Sequence, residues 1–312
     1  MDNSWEELIQ GILKGNIRSL ARMITNVENR QSGWKNAMSK VYKYSGKAKV
    51  FGITGSPGAG KSTLTNKIAK NMYDRGFSIG IIAVDPSSPF SGGAIMGDRL
   101  RMSEISTIDN IFIRSMATRG FLGGLCQAAR DVVRILDAFG KDIIIIETVG
   151  VGQDEIEIVR AADLVMLVNV PGQGDGVQAI KAGVMEIADI YIVNKADKHG
   201  ADDVVHDILA MLALSDEHNK DMVIKTSAIS GQGIEELVDK LISKTDNSKI
   251  NVDKKIIRSK QEILSLIEQE IYGHIRKKLY ESNELNLAVD KVLNTKQDPY
   301  SIVDNLIKPL LK

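Results

Sequence analysis

The sequence predicts an α/β fold: a mostly parallel central sheet flanked by helices on both faces, with a phosphate-binding turn at the end of its first strand. Three observations carry this. Seven short apolar runs alternate with helical stretches: Val50–Thr54, Ile79–Val84, Ile111–Arg114, Ile143–Glu147, Leu164–Val170, Ile190–Asn194 and Met222–Ser227. Most of these runs have no polar alternation, as strands buried on both faces require. The first run opens into Gly55-Ser-Pro-Gly-Ala-Gly-Lys-Ser62, which is glycine, four residues, then Gly-Lys-Ser.

Upstream of the sheet, Trp5, Leu8, Ile9, Ile12 and Leu13 fall on one face of a helix. Asn16 is placed to cap a second helix, in which Leu20, Ala21, Ile24 and Val27 continue the stripe. A third helical segment runs from Trp34 to Tyr44, and both tryptophans are expected in packed core. Residues 1–46 therefore read as a helical extension capping a domain of residues 47–245.

In the phosphate turn, Gly55, Gly58 and Gly60 free the backbone to turn its N–H groups toward phosphate oxygens at a helix N-terminus. Gly58, Ala59, Gly60, Lys61, Ser62 and Thr63 are the expected cradle. The Lys61 ammonium reaches the β/γ-phosphates, and the Ser62 hydroxyl is a ligand for Mg2+. These features predict a P-loop NTPase.

Ligands of such sheets sit beyond the carboxyl ends of the strands, so the polar residues there are the candidates for chemistry. Asp85 follows the second run and is placed to hold magnesium directly or through water. Gly92-Gly93 and Gly97-Asp98-Arg-Leu-Arg101 form a loop with hinge glycines and a further carboxylate, Asp98. Glu147 ends four consecutive isoleucines, where an acid is costly to bury unless a cation or hydrogen bonds compensate it. Gly150 is placed to offer its N–H to a γ-phosphate, and Gln153 to orient an attacking water; the alternative for Gln153 is polar surface.

Base choice is read from Asn194-Lys195-Ala-Asp197. The Asp197 carboxylate can accept from both N1–H and the exocyclic amine of guanine, whereas adenine would leave it facing a lone pair, at roughly 1–3 kcal/mol. GTP is therefore expected, with Thr226-Ser227-Ala228 supplying backbone N–H to the guanine carbonyl.

After Gly231-Gln-Gly233, a helix of Ile234 to Ser243 closes the domain. Residues 246–312 read as a helical arm. Its long helix, about Asp253 to Tyr280, carries Ile256, Ile263, Leu264, Ile267, Ile271, Ile275 and Leu279 in a narrow stripe suited to packing on another chain or back on its own domain. Shorter helices follow at Leu285–Leu293 and Tyr300–Leu310.

These motifs resemble the MeaB/ArgK family, which includes the MMAA-type proteins. The resemblance extends to Gly15-Asn-Ile-Arg-Ser-Leu-Ala-Arg-Met-Ile-Thr25, Val84-Asp-Pro-Ser-Ser-Pro89, Gly92-Gly-Ala-Ile-Met-Gly-Asp-Arg99, Met116-Ala-Thr-Arg-Gly120, Leu122-Gly-Gly-Leu125, Glu147-Thr-Val-Gly-Val-Gly-Gln153, Pro171-Gly-Gln-Gly-Asp175 and Asp298-Pro-Tyr300. It implies a homodimeric, Mg2+-dependent GTPase chaperone of adenosylcobalamin-dependent methylmalonyl-CoA mutase or a related acyl-CoA mutase. Its hydrolysis of GTP would gate loading, protection or reactivation of the cobalamin. It further implies Asp85, Asp98 and Glu147 as the acids around magnesium, Gln173–Lys181 as a further switch loop and the C-terminal arm as the dimerisation element. Asp154, Gln173 and Gly176 depart from the family pattern. Two other classes stay open: a nickel-delivery GTPase, which should carry a Cys/His cluster, and a non-catalytic GTP-dependent binding module.

Composition sets outer bounds. The 312 residues are 43% hydrophobic, enough for a sizeable core, and the 40 basic residues match the 40 acidic ones. No overall field favours nucleic acid or an anionic membrane. The single cysteine, Cys126, cannot form an internal disulfide, and the four histidines are scattered. The absence of a signal-like N-terminus or a run of about eighteen apolar residues makes a cytoplasmic location the expectation.

Overall fold

The computed structural model describes residues 2–85, 103–117, 124–148, 150, 161–172, 188–213, 222–246 and 250–308. The chain forms two compact units, Met1–Val252 and Asp253–Lys312. All seven apolar runs are strands: β1 (Lys49–Gly55), β2 (Ile79–Asp85), β3 (Ile111–Ala117), β4 (Ile143–Thr148), β5 (Leu164–Asn169), β6 (Ile190–Val193) and β7 (Val223–Lys225). They form one parallel sheet in the order β3-β2-β4-β1-β5-β6-β7.

Strand period divides the apolar residues between two cores. Phe51, Ile53, Ile79, Ile81, Ile143, Ile145, Met166, Val168, Ile190 and Ile192 face one layer. That layer holds α4 (Lys61–Asp74), through Leu64, Ile68 and Met72, α5 (Ser103–Ser106), through Ile105, and α8 (Ile234–Asp246), through Leu237, Val238 and Leu241. The intervening Val50, Ile82, Val84, Ile144 and Ile146 face the other layer. There they meet α6 (Gly124–Ala138) and the N-terminal helices α1 (Asp2–Leu13), α2 (Ile17–Glu28) and α3 (Trp34–Val41). Leu167, Tyr191 and Val193 pack with α7 (Ala201–Leu212). The four isoleucines of β4 thus split two and two, which explains a run that is apolar on both sides.

Residues 1–46 share the first unit with the sheet. Ile12, Leu20, Met23, Ile24 and Val27 are fully buried, and each contributes roughly 1.5–3 kcal/mol of apolar transfer. Asn16 caps α2, accepting from the N–H of Ser19 at 2.9 Å. Trp5 and Trp34 are partly buried against the same core; the Trp5 indole donates to Ser32 O, and the Arg30 guanidinium stacks 3.9 Å from the Trp34 ring. The third helix stops at Val41 and tightens into a 3-10 turn over Tyr42–Tyr44. The peptide that follows is anchored by Asp137 of α6, whose carboxylate accepts from the backbone N–H of Gly46, Lys47 and Ala48.

A repeated device starts the strands. Asp142, Asp163 and Asp189 immediately precede β4, β5 and β6, and accept from the N–H of Ser78, Val50 and Val165 respectively. Each carboxylate thereby satisfies a donor at the open edge of the ladder.

The second unit contains α9, which runs Ile250–Glu281, with α10 (Glu284–Thr295) and α11 (Pro299–Ile307). Asp298 caps α11 through Ser301 N, with Pro299 in the first helical position. The stripe residues Ile256, Ile263, Leu264, Ile267 and Ile271 are all about half exposed or more.

Candidate functional site

Every described candidate residue lies at the carboxyl ends of the strands or in the loops just beyond. Gly55 ends β1 at φ 144°, and a Cβ there would lie 2.3 Å from the Val168 carbonyl oxygen, so only glycine allows β1 and β5 to stay paired. The turn over Ser56–Gly60 then delivers α4, with Gly58 and Gly60 at φ 78° and 87°. Lys61, 6% exposed, folds its ammonium back over the turn and donates to the carbonyls of Gly55 at 2.6 Å and Ser56 at 2.9 Å. A cation is thus held at the mouth of the loop by neutral dipoles that a phosphate oxygen can outcompete. Thr63, one turn into α4, is exposed.

Glu147, 5% exposed on β4, accepts from the Ser62 hydroxyl at 2.5 Å. This joins the strand-end acid to the first turn of the phosphate helix. Asp85, the last residue of the adjacent β2, pairs in register with Ala117, one position beyond the Val84–Thr148 pair. Gly150 sits over the end of β1: its carbonyl accepts from the hydroxyls of Thr54 at 2.8 Å and Thr148 at 3.3 Å. Asp98, Gln153 and the Gln173–Lys181 segment lie outside the described residues.

The other half of the site is built around Asn194, which is 1% exposed at the end of β6. Its amide nitrogen donates to Ala59 O at 2.8 Å, and its amide oxygen accepts from Thr226 Oγ1 at 3.2 Å and Ala228 N at 3.1 Å. Carbonyls only accept and backbone N–H groups only donate, so this orientation of the amide is fixed by its partners. Lys195, at φ 57°, reaches over the turn to donate to Gly58 O at 2.7 Å. Asp197 is exposed, and the Ser227 hydroxyl, aided by backbone N–H, holds its carboxyl below the usual carboxylate range. Ser227 and Ala228 are buried in a turn closed by Ser227 N to Gln232 O and Gly231 N to Ser227 O.

The structure therefore brings together Gly58, Ala59, Gly60, Lys61, Ser62, Glu147, Asn194, Lys195, Ser227 and Ala228. One contributor went unread in the sequence: Thr54 holds the Gly150 carbonyl, and the signal was a hydroxyl residue beside the glycine of the turn. Asn194, read in the sequence as part of the base motif, also acts as a staple to the phosphate turn. Among the described residues there is no cluster of three or more Cys, His, Asp or Glu with metal-binding geometry, and no helix long and apolar enough to cross a membrane.

Comparison with known proteins gives the chain a family. Residues 20–280 match the profile of the family described as methylmalonyl Co-A mutase-associated GTPase MeaB. A provisionally named GTPase of Pyrococcus horikoshii is 45% identical over 315 residues, covering 98% of each chain. The GTPase ArgK of Escherichia coli is 36% identical over 241 residues, covering 74% of this chain and 73% of its own. The mouse (Mus musculus) methylmalonic aciduria type A homolog, a mitochondrial protein, is 32% identical across 97% of this chain and 79% of its own. The crystal structure of an LAO/AO transport system kinase superposes with a TM-score of 0.74 at 25% identity, covering 100% and 99% of the two chains.

Proposed function

The chain belongs to the MeaB family of GTPases, and from that premise we propose that it is a Mg2+-dependent GTPase chaperone of an adenosylcobalamin-dependent acyl-CoA mutase, methylmalonyl-CoA mutase first among them. The observation that carries this reading is the pairing of Glu147 with Ser62 beside Lys61, opposite an Asn194 that ties the phosphate turn to the base loop.

A buried carboxylate and a hydroxyl in contact are hard oxygen donors, and they fit magnesium, which binds through one or two carboxylates and phosphate oxygens. Ser62 and Glu147 would hold the ion, with Asp85 and Asp98 as further acids from the neighbouring strand end and loop. When bound, magnesium neutralises charge on the β- and γ-phosphate oxygens.

The chain's own groups do the rest. Backbone N–H groups of Gly58–Thr63 and the positive end of α4 receive the phosphates. Lys61 exchanges its two carbonyl partners for phosphate oxygens, which places a full charge where negative charge develops during transfer. Asp197, whose carboxyl Ser227 holds below the usual range, accepts from guanine beside the Ser227–Ala228 turn. Gln153 orients the water, and Gly150 reports the γ-phosphate through the loop that follows the strand bearing Glu147.

The partner reading rests on the family's described association with the mutase. The C-terminal arm, with its exposed isoleucine and leucine stripe, is the proposed homodimer element, and the cytoplasm the proposed compartment. The test is GTP hydrolysis with and without purified methylmalonyl-CoA mutase. Stimulation of about tenfold or more supports the role. Binding of GTP with an unchanged rate across acyl-CoA mutases would leave a nucleotide-binding module and refute it.

A further inference from the structure

A second recess lies at the other ends of the strands, where β2 and β3 begin. It is a cavity of about 650 Å3, a size typical of small-ligand sites. Ile17 in the first turn of α2, Phe112 on β3 and Phe139 in the turn after α6 give it apolar walls. Thr107 and Asp109 contribute polar atoms, and Lys141 is the cationic residue that lines it among the described residues.

Lys141 is out of place as a purely structural residue. It is 7% exposed, yet among the described residues no carboxylate pairs with it. Its one hydrogen bond goes to Asn110 O at 2.8 Å, a carbonyl already accepting from Ile79 N at 2.9 Å. Asp142, the next residue, turns its carboxylate onto the N–H and hydroxyl of Ser78 and acts on Lys141 through its charge alone. An ammonium has three donors, and burying it on one shared carbonyl and the Phe139 ring, 5.7 Å away, leaves donors unmet and is costly. Burial accordingly pulls the Lys141 pKa below its ordinary value. An anion in the cavity supplies what the fold omits, while the apolar walls suit a carbon body.

We propose that this cavity is a binding site, separate from the nucleotide site, for a small molecule carrying an anionic head on an apolar body. Lys141 takes the head, and Phe112, Phe139 and Ile17 enclose the body. Asp109, the one acid in the lining and exposed to solvent, opposes the head and limits affinity.

The test uses the full chain with GDP bound and octanoate as probe, followed by titration calorimetry, with 1-octanol as the uncharged control. Saturable binding of octanoate, about tenfold or more tighter than octanol, is expected. Lys141→Met should remove that preference. Ile17→Asp, at a site 63% exposed and so harmless to folding, should weaken octanoate by a similar factor, and Asp109→Asn should tighten it. Should Lys141→Met fail to fold, the opposite signs of the Ile17 and Asp109 variants decide. No saturable binding, equal affinity for octanol, or indifference to Ile17→Asp and Asp109→Asn overturns the proposal, and none of these outcomes touches GTP hydrolysis.

Discussion

Replacing Asn194 by alanine should damage both stability and nucleotide binding, by an amount that follows from its three bonds. The change orphans the Ala59 carbonyl, the Ala228 N–H and the Thr226 hydroxyl, in residues 0%, 5% and 0% exposed. The hydroxyl can rotate to another acceptor, but the two backbone groups cannot. At about 1–3 kcal/mol for each buried group left unsatisfied, the loss is roughly 2–6 kcal/mol. That is a large fraction of the 5–15 kcal/mol typical of a folded domain. Because the amide donates into the phosphate turn, inorganic pyrophosphate should bind more weakly along with GDP. Asn194→Asp keeps the shape and the two accepted bonds, but sets a carboxylate oxygen against the Ala59 carbonyl. It should match the alanine variant at neutral pH and recover in acid, once a protonated oxygen can donate again. Denaturant unfolding and titration with GDP and pyrophosphate measure both effects. An unfolding free energy within about 0.5 kcal/mol of the parent, or a loss confined to guanine with pyrophosphate binding intact, would refute the staple.

Three further outcomes are expected. Arg30→Ala leaves Asp131, whose side chain is 4% exposed, without the guanidinium 2.6 Å away, at a cost of about 1–3 kcal/mol at neutral pH, since Arg134 remains 4.0 Å off. Burial already raises the Asp131 pKa, and losing Arg30 raises it further, so the penalty belongs to the ionised form and should shrink as pH falls through that raised value; unfolding across pH measures it. Ser227→Ala removes the largest influence holding the Asp197 pKa down. Guanine affinity in the parent should survive until pH drops through that depressed value, whereas in the variant the decline should begin at a higher pH, as nucleotide titrations would show. Ile267→Glu, at a residue about half exposed on α9, should convert the proposed dimer to a monomer in analytical ultracentrifugation with little change in the unfolding of the first unit.

The sheet was legible because its apolar runs are short, separate and unbroken by polar residues; even the two-faced burial of Ile143–Ile146 could be read from their lack of alternation. The candidate nucleotide residues stand in the sequence as local spacings, Gly55 to Ser62 and Asn194 to Asp197. What stayed hidden were contacts between residues far apart in the chain. Arg30 and Asp131 meet across 101 positions, Asn194 and Ala59 across 135, and no periodicity links them. Asp142, Asp163 and Asp189 had a readable signal, an aspartate directly before an apolar run, but the N–H donors they accept from depend on strand order, which sequence spacing does not encode. The cavity at Lys141 arises where four connecting segments converge, so it too needed the fold.

Asp137 gathers three successive N–H groups of the segment entering β1, and the helices before that segment roof one side of the sheet. Shortening the protein to start at the phosphate-loop strand would therefore not yield a minimal GTPase. It would expose the apolar surface that α1, α2 and α3 cover in the core they share with α6 and with Val50, Ile82, Ile144 and Ile146, so any engineering of this scaffold has to carry its first forty-odd residues along.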